Sequence, residues 1–242
     1  MYKNSIIILL MCVAFLSGCS TMHSMFIGEP KDTTAQELFE AGEQAMQEKD
    51  YIDAIDDFQK LKKEFPFSPY TVKGELRLAD AFFQEGRLTK AEKTYKDFES
   101  LHPGNENIPY VLYRIAQCNF KTFKSIDLPL TNIKEALQYF QRVEQSYPTS
   151  KYSDQSKDYI KKCKKYLARH EIYVADFYWN TEKYLSAWKR YEQVLNNYKE
   201  LEELNNYARK RSRMAYMKYQ ESVAAQKRRE LQGSWKDWFQ WL

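Results

Sequence analysis

Three histidines, four cysteines and 33 acidic residues are the groups with which this 242-residue chain could bind a metal or move a proton. A hydrolytic zinc site on a helix needs two histidines one turn apart and a glutamate beside the first, so that both imidazoles reach one ion and the carboxylate can take a proton from water. His170-Glu171 opens such a pattern, but Val174 stands where the second histidine belongs, and His23 and His102 are remote in the chain. There is no Gly-x-Ser-x-Gly elbow, phosphate-cradling glycine loop or dinucleotide fingerprint. Paired acids such as Asp56-Asp57 lie among lysines at helical spacing and read as a solvated face. These patterns predict a protein that is not an enzyme and holds no metal. One thiol stands apart: Cys19 closes Leu16-Ser17-Gly18-Cys19, directly after an apolar run from Ile6 to Leu16.

That run follows a single charge, Lys3, and ends in small residues, the layout of a secretory signal. It is too short to cross about 30 Å of hydrocarbon at about 1.5 Å per residue. Leu-Ser-Gly-Cys resembles a bacterial lipobox, in which the cysteine thiol is alkylated with diacylglycerol, the leader is cut before it, and the new amino group is acylated. Each buried methylene contributes about 0.8 kcal/mol, so several acyl chains hold firmly. Residues 1–18 are thus expected to be a lipoprotein signal peptide, with Cys19 the lipidation site and its covalent lipid the one non-protein group. Residues 19–33 lack periodicity and read as a flexible tether. Ser20, where an aspartate would favour the inner membrane, resembles an outer-membrane address.

The remaining chain must position whatever function there is. Lys and Arg number 37, or 36 without Lys3 of the leader, against 33 acids, too balanced for nucleic acid, and the whole chain's seven Gly with seven Pro favour helices over strands. Cys118 and Cys163 each stand alone in a helical pattern; buried free thiols are favoured over a pairing in an oxidising periplasm.

From Thr34 small and large residues recur as in tetratricopeptide (TPR) repeats. Repeat one has Leu38, Ala41 and Gly42, then Ala54, Phe58 and Leu61, closed by Pro66; repeat two has Leu78, Ala79 and Phe82, then Ala91, Tyr95, Phe98 and Pro103. Small residues let paired helices approach, aromatics fill the gaps between repeats, and proline stops the second helix. Repeat three has Leu112, Ile115 and Ala116, then Ala136, Phe140, Val143 and Pro148. Its long turn, 124–131, is either part of a binding face or a spacer. A long helix over about 153–180 leads into a fourth repeat (Val174, Ala175, Tyr178; Ala187, Tyr191, Val194), which lacks the closing proline. Residues 201–231 make a further helix pair or one long helix. The expected fold is an all-α TPR solenoid of about five helix pairs, with N-terminal repeats over 34–149 and C-terminal repeats over 150–232.

In the last segment, 233–242, Trp235, Trp238, Phe239 and Leu242 would share one helical face. Arg209, Lys210, Arg211, Arg213, Lys218, Lys227, Arg228 and Arg229 precede it, against Glu221 and Glu230. A tail folded back to cap the last repeat, or held by a partner, is favoured over one lying in an anionic membrane interface.

Three stretches carry a more specific likeness: Phe65-Pro-Phe-Ser-Pro-Tyr70, His102-Pro103 with Ile108-Pro-Tyr-Val-Leu-Tyr113, and Tyr147-Pro-Thr-Ser-Lys-Tyr152 leading to Leu167-Ala-Arg-His-Glu-Ile-Tyr-Val-Ala-Asp-Phe-Tyr178. With the lipobox they resemble the YfiO/ComL family of outer-membrane lipoproteins, over residues 16 to about 200. The resemblance implies a scaffold of the β-barrel assembly (BAM) complex on the periplasmic face of the outer membrane. Its C-terminal repeats would hold a BamA-like barrel subunit, other assembly lipoproteins would join, and its N-terminal repeats would bind unfolded barrel precursors. Phe67, Tyr70, Tyr110 and Tyr113 would supply aromatic contacts, with Arg77 or Arg114 near a chain-end carboxylate. Packing between repeats is the favoured role for Phe65 and Phe67, and Arg190 falls where family members carry a partner-facing arginine. The alternative is another periplasmic TPR lipoprotein, a pilus-secretin pilotin or a cell-envelope coordinator.

Overall fold

A computed structural model describes residues 33–239, with side chains to residue 232. The signal segment, Cys19 and the tether up to residue 32 lie outside the described residues. The described residues form nine α-helices: α1 (Ala35–Glu48), α2 (Tyr51–Glu64), α3 (Pro69–Gln84), α4 (Leu88–Leu101), α5 (Ile108–Thr122), α6 (Thr131–Ser146), α7 (Lys151–Asn180), α8 (Tyr184–Asn197) and α9 (Glu202–Phe239). They divide into two compact units, up to Gly74 and from Glu75, the division falling inside α3. The boundary expected at 149/150 instead lies between α6 and α7, which pack together within the second unit.

In the first unit, Thr34 opens α1 with a capping box: its hydroxyl accepts from the Glu37 amide at 3.2 Å while its own amide donates to the Glu37 carboxylate at 3.0 Å. Asp50 caps α2 by accepting from the Asp53 amide at 3.3 Å. Phe58 and Leu61 are fully buried between the helices, each burial contributing about 1.5–3 kcal/mol. Close approach is what Gly42 and Gly74 provide. A Cβ at Gly42 would meet the Phe58 ring at 2.6 Å, and one at Gly74 would meet Leu61 Cδ2 at 2.6 Å. Ala41, expected at this contact, is exposed; the α1 stripe runs through Leu38, Gly42 and Ala45.

In the second unit the small positions of the repeat are all buried: Ala79, Ala116 and Ala175 on first helices, Ala91, Ala136 and Ala187 on second helices. The 30-residue α7 serves two repeats, packing on α6 at one end and on α8 at the other. Every second helix ends alike. Phe65, His102, Tyr147 and Tyr198 close them with φ between −128° and −135° and ψ between 45° and 56°. Tyr198 does so without a following proline, because the Asn205 amide donates to the carbonyls of Tyr198 at 2.9 Å and Lys199 at 3.0 Å. The long 124–131 turn is fastened down: Leu130 is buried, and the His170 ring contacts the Ile126 carbonyl through Nδ1 at 2.5 Å. Of the two readings of residues 201–231, one long helix is found, and it runs without a break through Gly233 to Phe239. No helix of the described residues is long and apolar enough to cross a membrane.

Candidate functional site

The polar centre of the second unit is Asp80, which α3 presents toward α4 and α5. Its side chain is only 8% exposed, and a carboxylate buried so deeply must be matched by donors. The Tyr95 hydroxyl from α4 and the Tyr110 hydroxyl from α5 each donate to Oδ1 at 2.6 Å, while Arg77 Nη1 lies 3.4 Å from Oδ2. Arg114, one turn beyond Tyr110, donates through Nε to the Tyr110 oxygen at 2.9 Å and through Nη1 to Gln117 at 3.0 Å. Its guanidinium covers the Phe83 ring at 4.4 Å and the Tyr110 ring at 5.1 Å. Burial, then the Asp80 charge, pushes the Tyr110 phenol up to about 12 and the Tyr95 phenol well above its ordinary range. Burial works against the Arg114 charge, but Tyr110, Tyr95 and Asp80 outweigh it and hold the pKa above its ordinary value. The result is a fixed cation on a half-buried aromatic shelf, the setting in which a carboxylate can be held with direction as well as charge.

Aromatic rings extend this shelf along α5 and α7. Tyr152 lies 5.4 Å from both Tyr110 and Tyr113, Phe140 stacks on Tyr159 at 4.7 Å, and Tyr166 meets Phe123 at 4.6 Å. Tyr113, expected as a groove contact, is 7% exposed and wedged against Phe140, Tyr152 and Tyr159. It is a core residue whose hydroxyl accepts from Gln117 at 2.9 Å.

The arrangement occurs twice. Asp176 of α7 accepts from the hydroxyls of Tyr191 on α8 and Tyr207 on α9, the latter at 2.9 Å, and Arg211 one turn beyond Tyr207 lies 3.6 Å from Asp176 Oδ1. Arg211 donates to the Tyr191 oxygen at 3.2 Å and covers the Trp179 ring at 4.5 Å. In both copies the first tyrosine is 15 residues after the aspartate, and the second is 30 residues after it in one and 31 in the other. The covered ring, Phe83 or Trp179, follows the aspartate by one turn. Reading the sequence by apolar repeat positions alone misses this pair; aligning Asp80 on Asp176 would have exposed it. Beside the second copy an open cleft of about 400 Å³ is lined by Ile126, Arg169, Tyr173, Asp176, Leu204 and Tyr207.

Arg77, Tyr110 and Arg114 are therefore brought together around Asp80. In the first unit, Tyr70 packs against Phe39 with ring centroids 5.7 Å apart, and Phe67 is 98% exposed on the turn before α3. The packing role favoured for Phe67 is thus corrected: the Phe65–Ser68 turn points its ring outward. Arg190 is partly exposed but not free, since Nη1 pairs with Glu171 at 2.7 Å. Among the described residues, no three His, Cys, Asp or Glu side chains are grouped so as to hold a metal ion, and both Cys118 and Cys163 are buried and unpaired.

The TPR2AB domain of yeast Sti1 is similar to this chain at 16% identity, with a TM-score of 0.47, covering 76% of this chain and 70% of that one. Sequence relatives are more informative. An outer membrane protein assembly factor BamD of Vibrio cholerae is 25% identical over 203 residues, covering 80% of this chain and 83% of its own. The BamD of Pasteurella multocida is 28% identical over 173 residues (67% and 66%), and that of a Neisseria meningitidis serogroup A strain 24% over 195 (76% and 73%). The YfiO family model, described as outer membrane lipoprotein, matches residues 31–231. Since that span takes in all but the last turns of α9, the chain belongs to the YfiO family of outer membrane lipoproteins.

Proposed function

We propose that the chain is a scaffold subunit of the outer-membrane β-barrel assembly machine, held by lipid on Cys19 at the periplasmic face of the outer membrane. The observation that carries this reading is the family match across the whole repeat region, with relatives named outer membrane protein assembly factor. The work of such a subunit is binding. Arg114 and Arg77 above the Asp80 cluster receive the terminal carboxylate of an unfolded barrel precursor, and Tyr110 with its neighbouring rings receives the aromatic side chains that precede it. Tyr70 and the exposed Phe67 add aromatic contacts on the first unit. Arg190 exchanges its pairing with Glu171 for a carboxylate on a BamA-like barrel subunit.

Detergent extraction of native membranes, with an epitope tag inserted at the exposed turn of Gly104, tests the assignment. Recovery of a large outer-membrane barrel with periplasmic repeats is expected. Recovery of a secretin or of cell-wall proteins without such a barrel refutes it. For the carboxylate site, a peptide ending in an aromatic residue should bind the chain, and either amidating its terminus or making Arg114→Ala should weaken binding by roughly tenfold or more, about 1.4 kcal/mol. Equal binding of acid and amide removes Arg114 from the site.

A further inference from the structure

The last helix is far longer than the helix it packs on. α9 has 38 residues and α8 has 14, so they span about 57 Å and about 21 Å at 1.5 Å per residue. Packing on α8 uses Asn205, Ala208, Ser212 and Ala215, and the last ring contact is Tyr216 on Trp188 at 5.1 Å. Beyond it the side chains are exposed almost without interruption to residue 232, including Met217 at 60% and Leu231 at 55%. The helix therefore continues as a largely bare arm over residues 217–232, and its backbone runs on as helix to Phe239.

The arm is not shaped to seat another repeat. Continuing the buried stripe at helical spacing leads through the half-buried Tyr219 and then through Ser222, Gln226, Arg229, Gly233 and Asp237, so that past Tyr219 it is polar or without a side chain. The apolar positions 231, 235, 238 and 239 (Leu, Trp, Trp, Phe) fall on one side of the helix, about 140° around the axis from that stripe at 100° per residue. Lys227 and Arg228 fall on that same side, one turn before. Residues 207–232 hold eight basic groups against Glu221 and Glu230, and all of the basic ones but Arg211 are exposed.

Aromatic and aliphatic positions on one side, with a basic cluster at their edge, match the headgroup layer of an anionic bilayer: tryptophan settles at that depth, and the cations meet lipid phosphates. We propose that the arm lies in the interface of an anionic phospholipid membrane, with positions 231, 235, 238 and 239 toward the acyl boundary. This gives the chain a second membrane contact besides the acyl group on Cys19, and it rests on none of the residues assigned to the Asp80 cluster.

The test uses the mature chain carrying Cys19→Ser, so that no acyl group contributes. Co-sedimentation should show binding to phosphatidylcholine vesicles containing phosphatidylglycerol, weakening with added salt, and little binding to phosphatidylcholine alone. Trp235→Ser/Trp238→Ser/Phe239→Ser and Lys227→Glu/Arg228→Glu/Arg229→Glu should each lower vesicle partitioning by roughly tenfold or more, with far-UV circular dichroism and melting temperature unchanged. Undiminished binding by either variant, or equal binding to the two vesicle types, overturns the proposal. So does a fall in melting temperature of the tryptophan variant, which would mark the segment as a cap. If vesicles are ignored but the charge-reversed chain loses an acidic protein in pull-downs, the arm serves that partner instead.

Discussion

Replacing Asp80 by alanine should be among the most damaging single changes in the second unit, although it removes few atoms. Hydrogen bonds to a charged acceptor contribute about 1.5–3 kcal/mol each, and Asp80 accepts two from phenols at 2.6 Å. The two losses differ. Tyr110 is half-buried and can turn to water, whereas Tyr95 is fully buried, so its hydroxyl is left without an acceptor, at about 1–3 kcal/mol. Arg77 is 38% exposed and 3.4 Å away, so its pairing adds about 0–1 kcal/mol. Together these predict a loss of about 3–4 kcal/mol for Asp80→Ala. The orphaned hydroxyl makes the prediction specific. In a Tyr95→Phe background there is no hydroxyl to strand, and the same substitution should cost about 1.5–2 kcal/mol less. Urea unfolding of the four proteins of this cycle, followed by far-UV circular dichroism, measures the coupling. A loss below about 1 kcal/mol, or additivity within about 0.5 kcal/mol, would mean that the network does not hold the α3–α4–α5 junction and that apolar stacking alone does.

Three further outcomes follow. Tyr95 and Tyr110 have pKa values raised above the ordinary phenol value, Tyr110 to about 12. Their stabilisation is therefore complete below about pH 10 and is lost as pH rises through the folded values; a titration at the phenolate absorbance in which every tyrosine ionises near pH 10 in the folded chain would contradict this. Burial pushes the Cys118 and Cys163 thiols up to about 12, so a thiol reagent should leave the native mature chain unmodified and label both sites in urea. His170→Ala removes the clasp on the Ile126 carbonyl, and limited trypsin digestion should then cut faster after Lys121 and Lys124 while the helix content is kept; an unchanged cutting rate would show that Leu130 alone holds the turn.

The repeat architecture was legible in the sequence because it rests on side-chain volume. Gly42, Ala79, Ala91, Ala136, Ala175 and Ala187 must be small where two helices touch, and such positions recur in each helix pair even where a long turn or the long α7 stretches the spacing. The site was legible in part. Arg77, Tyr110 and Arg114 belong to a type suited to a carboxylate, but nothing local to them reveals Asp80 as their common partner 30 residues before Tyr110. Tyr113 is misread from sequence because Tyr110 and Tyr113 are three apart on one helix and both meet Tyr152, and only the packing of α6 and α7 decides that the first stays half-exposed over Asp80 while the second is shut in by Phe140 and Tyr159 as well. The turn at Tyr198 could not be inferred from a missing proline, since the group that replaces it, Asn205, comes from the next helix.

The paired clusters also bear on how such a chain changes length over generations. Asp80 and Asp176 begin equivalent junctions, each completed by two tyrosines and an arginine that lie downstream at nearly equal offsets. A crossover between the two codons would delete residues 81–176 and set Asp80 before Phe177, facing Tyr191, Tyr207 and Arg211 with every donor supplied. The reverse event would insert the same block and repeat the junction once more. Helix pairs lost or gained as such a cassette would leave each aspartate matched by its phenol donors, so that repeat number would change in whole steps.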